Sequence, residues 1–284
     1  MTERMISSGN ATICTESFGQ PDRPAVLLIM GACASMLWWP RSFCERLADS
    51  GFHVIRYDNR DTGRSTCYEP GTMNYSLDVM MEDAAAVLDA YGVKSAVIVG
   101  ASLGGMIGQL LALQHPERVR QLTLMISGPV AVEEDVSLPP IEQKVLDHHA
   151  QGGAIDWGHE AAALDYMVNG WRVTAGTRHP FDEAHIRSIA QEEFHRSTCL
   201  VCMYNHGLLT GGEWAMGQLG QIKAPTLIIH GTDDPVLPFP HAEYLARVIL
   251  QAKLVALKGA GHELHPRDWD LMIHEIESMR LKRS

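Results

Sequence analysis

Ser95-Ala96-Val97-Ile98-Val99-Gly100-Ala101-Ser102-Leu103-Gly104 runs from an apolar stretch into a glycine-flanked turn. The apolar run reads as a buried strand, and a helical stretch, Met106 to His115, follows it. Strand, G-x-S-x-G and helix in that order are the context of a nucleophile elbow. The serine sits on a sharp, strained turn with its hydroxyl clear of the sheet, and small residues flank it because strand and helix approach closely. The pentapeptide alone is a weak signal; the strand before it and the helix after it make it strong. The rest of the chain must then supply a base, an acid and two oxyanion donors in a predictable order.

Working outward, strand and helix alternate. Ala25 to Met30 is a continuous apolar run, as in a strand buried on both faces. A helical stretch around Ser42 to Asp49 precedes a strand at His53 to Tyr57. Leu77, Met80, Ala84, Val87, Leu88 and Tyr91 recur at helical spacing, with Ser76 placed to cap that helix and Gly92 to end it. Further strands are expected at Gln121 to Ile126, Thr226 to His230 and Ala252 to Leu257, and a closing helix at Trp269 to Met279. This alternation implies an α/β fold with a mostly parallel sheet covered on both faces, and ligands on such sheets bind outside the carboxyl ends of the strands. The gap between Gly128 and Ala224 is too long for a loop. Its acidic opening and Pro139-Pro140 read as an exit from the sheet, and its helical periodicity and aromatic residues as a helical cap. The expected organisation is a core of residues 1–129 and 220–284 with a cap of residues 130–219 inserted after the sixth strand.

A serine hydroxyl is a poor nucleophile at neutral pH and needs a base that is itself oriented by a carboxylate. The base expected is His262, in a glycine-rich turn after the last strand, ahead of its rival His265. The acid expected is Asp234, in Gly231-Thr232-Asp233-Asp234-Pro235, with Asp233 as the turn former. The order Ser102, Asp234, His262 is that of one hydrolase fold and not of the two best-known serine protease folds. One oxyanion donor should be the amide of Leu103, after the nucleophile. The other should be the amide of Ala32, in the loop Met30-Gly31-Ala32-Cys33. Gly31, Trp38 and Trp171 are the candidate substrate contacts; of the adjacent Trp38 and Trp39, at most one should face a pocket.

Bulk properties narrow the classes. A chain of 284 residues with 46% hydrophobic and 20% charged residues can bury one large core. The net charge of −11 argues against a nucleic-acid partner and gives no encouragement to an anionic membrane. No stretch approaches the ~20 apolar residues of a membrane span. The start has no long apolar segment of a secretory leader, so the six scattered cysteines are read as reduced thiols and the location as cytoplasmic. Other motifs are given structural readings. Asp58 to Ser65 is taken as a turn knit by its own Asp–Arg bonds, and His148-His149 as a solvated helix end. Cys199-x-x-Cys202 is discounted as a redox pair because it lies within the cap, and Cys33 as packing. His262-x-x-His265 has no third ligand at a plausible spacing, so no metal is expected, and no cofactor either. Either a monomer or a homodimer is compatible with the sequence.

The chain resembles the serine α/β-hydrolases, and more closely the bacterial esterases related to aclacinomycin methylesterase. The resemblance rests on Leu28-Ile29-Met30-Gly31, Arg56 to Ser65, Val99 to Gly105, Gly231 to Pro235 and Gly261-His262. It implies a nucleophile at Ser102, an acid at Asp234, a base at His262 and oxyanion donors at Ala32 and Leu103. Many relatives have His-Gly where this chain has Met30-Gly31. It also implies a small-molecule carboxylic ester as substrate, of moderate size and apolar, with a polycyclic methyl ester in view. Perhydrolase, lactonase, amidase and carbon–carbon hydrolase chemistry share the same motifs. A non-catalytic binding protein on the same scaffold would typically have lost a member of the triad.

Overall fold

The computed structural model describes residues 3–281. In chain order the elements are β1 (Arg4–Ser8), β2 (Ala11–Phe18), β3 (Ala25–Ile29), α1 (Arg41–Asp49), β4 (His53–Tyr57), α2 (Leu77–Ala90), β5 (Ala96–Ala101), α3 (Leu103–Gln114) and β6 (Val119–Met125). They continue with α4 (Gln143–Gln151), α5 (Glu160–Thr174), α6 (Glu183–Arg196), β7 (Thr226–Gly231), α7 (Pro240–Val248), β8 (Lys253–Leu257) and α8 (Trp269–Leu281).

The strands form one eight-stranded sheet in the order β1-β2-β4-β3-β5-β6-β7-β8. β1–β2 and β2–β4 pair antiparallel, and every later pair is parallel. Alternation along β3 shows why its run is apolar throughout. Ala25, Leu27 and Ile29 pack with α2, α3 and α7 on one face, and Val26 and Leu28 with α1 and α8 on the other. Ser76 caps α2 through its side chain, which accepts from the Val79 amide.

Two strands at the amino end, β1 and β2, were not anticipated. β1 exposes three of its five residues at the sheet edge, so its hydrophobic signal is thin. Between β6 and β7 the chain leaves the sheet and forms α4, α5, α6 and a 3₁₀ turn at Val201–Leu208. This insertion has a small core of its own, Leu164, Val168 and Ala190 backed by Met167, Phe181, Ile186 and Phe194. Among the described residues no helix is long and apolar enough to cross a membrane.

Three readings of local chemistry need correction. Cys199 and Cys202 are joined in a disulfide rather than held as free thiols. The aspartate–arginine pairs of the Asp58–Ser65 turn reach outward. Asp58 pairs with Arg196 of α6 at 2.7 Å, and Arg60 with Asp83 of α2 at 2.7 Å, and both pairs are buried. His148 is not a solvated helix end: it is buried and stacks on Tyr166, ring centroids 4.2 Å apart.

Candidate active site

The parallel register of β3, β5, β6, β7 and β8 sets their carboxyl ends on one edge of the sheet, and the candidate residues lie in the loops leaving that edge. Ser102 directly follows β5 and adopts φ 51°, ψ −120°, the left-handed backbone of a strained elbow. The turn is anchored where β6 ends: the Ser102 amide donates to the Met125 carbonyl, and Ser127 Oγ to the Ser102 carbonyl at 2.7 Å. Glycine is required at 104, where a Cβ would collide with the Ile29 carbonyl of β3. Gly31 backs onto the elbow; a Cβ there would lie 3.1 Å from that of Ser102.

His262 follows β8, and its Nδ1 lies 2.8 Å from Asp234 Oδ2. A carboxylate only accepts, so Nδ1 carries the proton and Nε2 keeps its lone pair. Asp234 is buried at the end of β7, its Oδ1 accepting from the amides of Val236 (2.8 Å) and Leu237 (2.9 Å). His230 Nε2 stands 3.3 Å from Asp234 Oδ2 and 2.7 Å from the Leu237 carbonyl. Burial pushes the Asp234 carboxyl up, but the positive charge that His262 carries when protonated and the hydrogen bonds from His230 and His262 outweigh it and hold it well below the usual range. Asp233, by contrast, is exposed and bonds Thr177 and Thr232. His265 caps the turn at Pro266–Asp268 by accepting from the Arg267 amide, and stacks on His179.

Leu103 opens α3, where a first-turn amide has no partner within its helix. Among the described residues neither its amide nor that of Ala32 has a hydrogen-bond acceptor. Ala32, Ser102 and His262 line one cavity of about 480 Å³, together with Trp38, Trp171, Met167 and Val236. Trp38 and Trp171 stack with centroids 4.3 Å apart. Trp39 turns away and packs on Phe43. The insertion also contributes His148, His149, Tyr166, Glu193, Tyr204 and His206 to the wall.

Sequence reasoning missed Glu193, His206 and His230. Glu193 is buried; Ser35 donates to its Oε2, and Ser197 to Oε1 at 2.9 Å. Burial, with Asp58 close by, lifts its carboxyl to about 7 against the hydrogen bonds from Ser35 and Ser197. For His230 a signal existed: a histidine ending a buried strand four residues before the expected acid. Glu193 and His206 carried none, since Ser35 lies 158 residues from Glu193 and Cys33 173 from His206.

Residues 20–269 match the family model described as serine aminopeptidase, S33. The chain belongs to this family. Its fold is that of the α/β-hydrolases, and it is an enzyme of the hydrolase class. Rhodomycin D methylesterase DauP of Streptomyces sp. (strain C5) is 36% identical across 97% of this chain and 95% of its own length. Rhodomycin D methylesterase DnrP of Streptomyces peucetius is 35% identical, again across 97% and 95%. Among solved structures, the 2-hydroxy-6-oxo-6-phenylhexa-2,4-dienoate hydrolase of Rhodococcus sp. strain RHA1 superposes with a TM-score of 0.79 at 22% identity, covering 98% of both chains. That last likeness concerns the fold alone.

Proposed function

We propose that this hydrolase cleaves the methyl ester of a bulky, largely apolar acid through Ser102, His262 and Asp234. The observation that carries the reading is the His262–Asp234 bond of 2.8 Å in a cavity shared with a serine on a left-handed elbow. Ser102 Oγ attacks the ester carbonyl carbon while His262 Nε2 takes its proton. The carbonyl oxygen becomes an oxyanion facing the amides of Ala32 and Leu103, whose N–H groups are unspent. The C–O bond then breaks, and methanol leaves with the proton that His262 returns. Water, deprotonated by His262, attacks the acyl carbon; the free acid departs and Ser102 regains its hydrogen. Asp234 stays ionised throughout, fixing the imidazole and stabilising its charged form. No step calls on a cofactor or a metal.

The insertion, taken as residues 130–219, acts as a lid over this chemistry. A cavity of about 480 Å³ walled by Trp38, Trp171, Met167 and Val236 suits a multi-ring acid better than a short acyl chain. The two methylesterase relatives favour methyl as the alcohol part. The test is a panel of methyl esters, from acetate to fused-ring carboxylates, assayed with the parent protein and Ser102→Ala. Rates rising with acid size and absent in Ser102→Ala support the reading. Turnover that survives in Ser102→Ala, or folded protein inert toward the whole panel, overturns it.

A further inference from the structure

The loop after β3 turns through Cys33 at φ 59°, a left-handed conformation unfavourable for any residue but glycine. Something must hold Cys33 there, and both of its own hydrogen bonds go to the insertion. The Cys33 amide donates to His206 Nδ1 at 3.0 Å, and the Cys33 thiol to the Met203 carbonyl at 3.3 Å. Both partners sit on the 3₁₀ turn Val201–Leu208. His206 is buried, and its Nε2 lies 2.8 Å from the Arg60 carbonyl. A carbonyl only accepts, so Nε2 carries the hydrogen and Nδ1 is the bare acceptor that Cys33 needs. Burial also holds the imidazole pKa down, keeping the ring in this neutral form. The far end is rigid. Arg60 is clamped on Asp83 by two bonds of 2.7 and 2.8 Å, and the neighbouring Asn205 donates to Asp61 and to the Tyr68 carbonyl.

We propose that His206 is a positioning residue through which the insertion holds the Ala32–Cys33 loop and so fixes the oxyanion donor, the Arg60 bond serving to leave Nδ1 as the acceptor. It touches no reacting atom; it acts through Cys33, one residue from Ala32. The proposal rests on Ala32 being that donor, and hence on the esterase reading above.

Two substitutions separate the two ring nitrogens. The amide oxygen of His206→Asn falls near Nδ1 and can still accept from Cys33. The amide of His206→Gln falls near Nε2, keeping the Arg60 bond and losing that to Cys33. Turnover is measured on the best methyl ester and expressed per Ser102 titrated with a fluorophosphonate, so that unfolded protein does not count. His206→Gln should lose about 10–100-fold in kcat with KM within about twofold, a part of the ~10²–10³-fold that deleting an oxyanion donor costs. His206→Asn should stay within about threefold of the parent. Equal kcat in all three proteins, or equal loss in both variants, overturns the proposal. If His206→Gln does not fold, His206→Leu carries the test, since it fills the buried position and offers the Cys33 amide no acceptor; kcat about 10–100-fold lower at unchanged KM supports the proposal, and unchanged kcat overturns it. Failure of the esterase reading looks different: the parent protein would then give no Ser102 adduct at all.

Discussion

Asp233 and Asp234 are neighbours in the chain with opposite surroundings. Asp233 faces solvent with two threonine hydroxyls, while Asp234 is sealed beneath His262 with two amides on its other oxygen. Asp234→Asn should therefore lower kcat by about 10⁴-fold, because an amide can donate to His262 and favour the wrong tautomer. Asp233→Asn should leave kcat within about threefold; equal losses in side-by-side assays would contradict the assignment. Glu193 gives a second prediction. Its carboxyl is raised from 4.5 to about 7, so the folded state holds a proton that the unfolded state has released. Its contribution thus falls as pH rises through that window, by up to about 3 kcal/mol relative to Glu193→Gln. Unfolding of both proteins at about pH 5 and about pH 8 checks this, and parallel stability profiles would contradict it. Ser102 was legible in the sequence because its turn demands small residues between an apolar strand and a helix. Asp234 is preferred to Asp233 in the sequence, but burial and not residue type is what separates the two.

At the scale of elements, α6 reaches down from the insertion and spends two polar side chains on the core. Arg196 pairs with buried Asp58, whose Oδ1 also accepts from the Met36 amide beyond the oxyanion loop, and Glu193 takes the Ser35 hydroxyl. Arg196→Met leaves the Asp58 charge buried without its cation, and should destabilise the protein by about 3–5 kcal/mol in denaturant unfolding. Pairing it with Asp58→Asn should recover part of that loss. No recovery would mean that the ion pair is not what the substitution breaks. The stacked Trp38 and Trp171 line both the cavity and a second, smaller apolar pocket, the latter with Phe181, Ile186 and Leu264. Trp171→Ala should join the two spaces and raise kcat/KM for long-chain esters over short-chain ones by about tenfold. An unchanged chain-length profile would show that this wall does not set selectivity. The parallel strands were legible because strands covered on both faces must be apolar throughout; β1 was not, because an edge strand covered on one side needs few apolar residues.

Across the whole molecule, the sheet gathers residues from positions 31 to 262 at one edge, and the insertion closes over them. The edge could be deduced from strand–helix alternation, since parallel topology leaves the functional loops together. The way the insertion docks could not. Which helix of the insertion faces the core depends on pairs such as Arg196–Asp58 and His206–Cys33, whose members lie 138 and 173 residues apart. Fold and reaction class thus follow from local pattern, whereas the cavity wall and the restraint on the Ala32–Cys33 loop follow from packing between distant segments. If Ser102 is an activated nucleophile served by His262 and Asp234, a fluorophosphonate applied to the folded protein, with the adduct mapped by peptide mass, should leave one adduct per chain, on Ser102, formed far more slowly in Asp234→Asn. Folded protein that turns over ester with no adduct on Ser102 would contradict it.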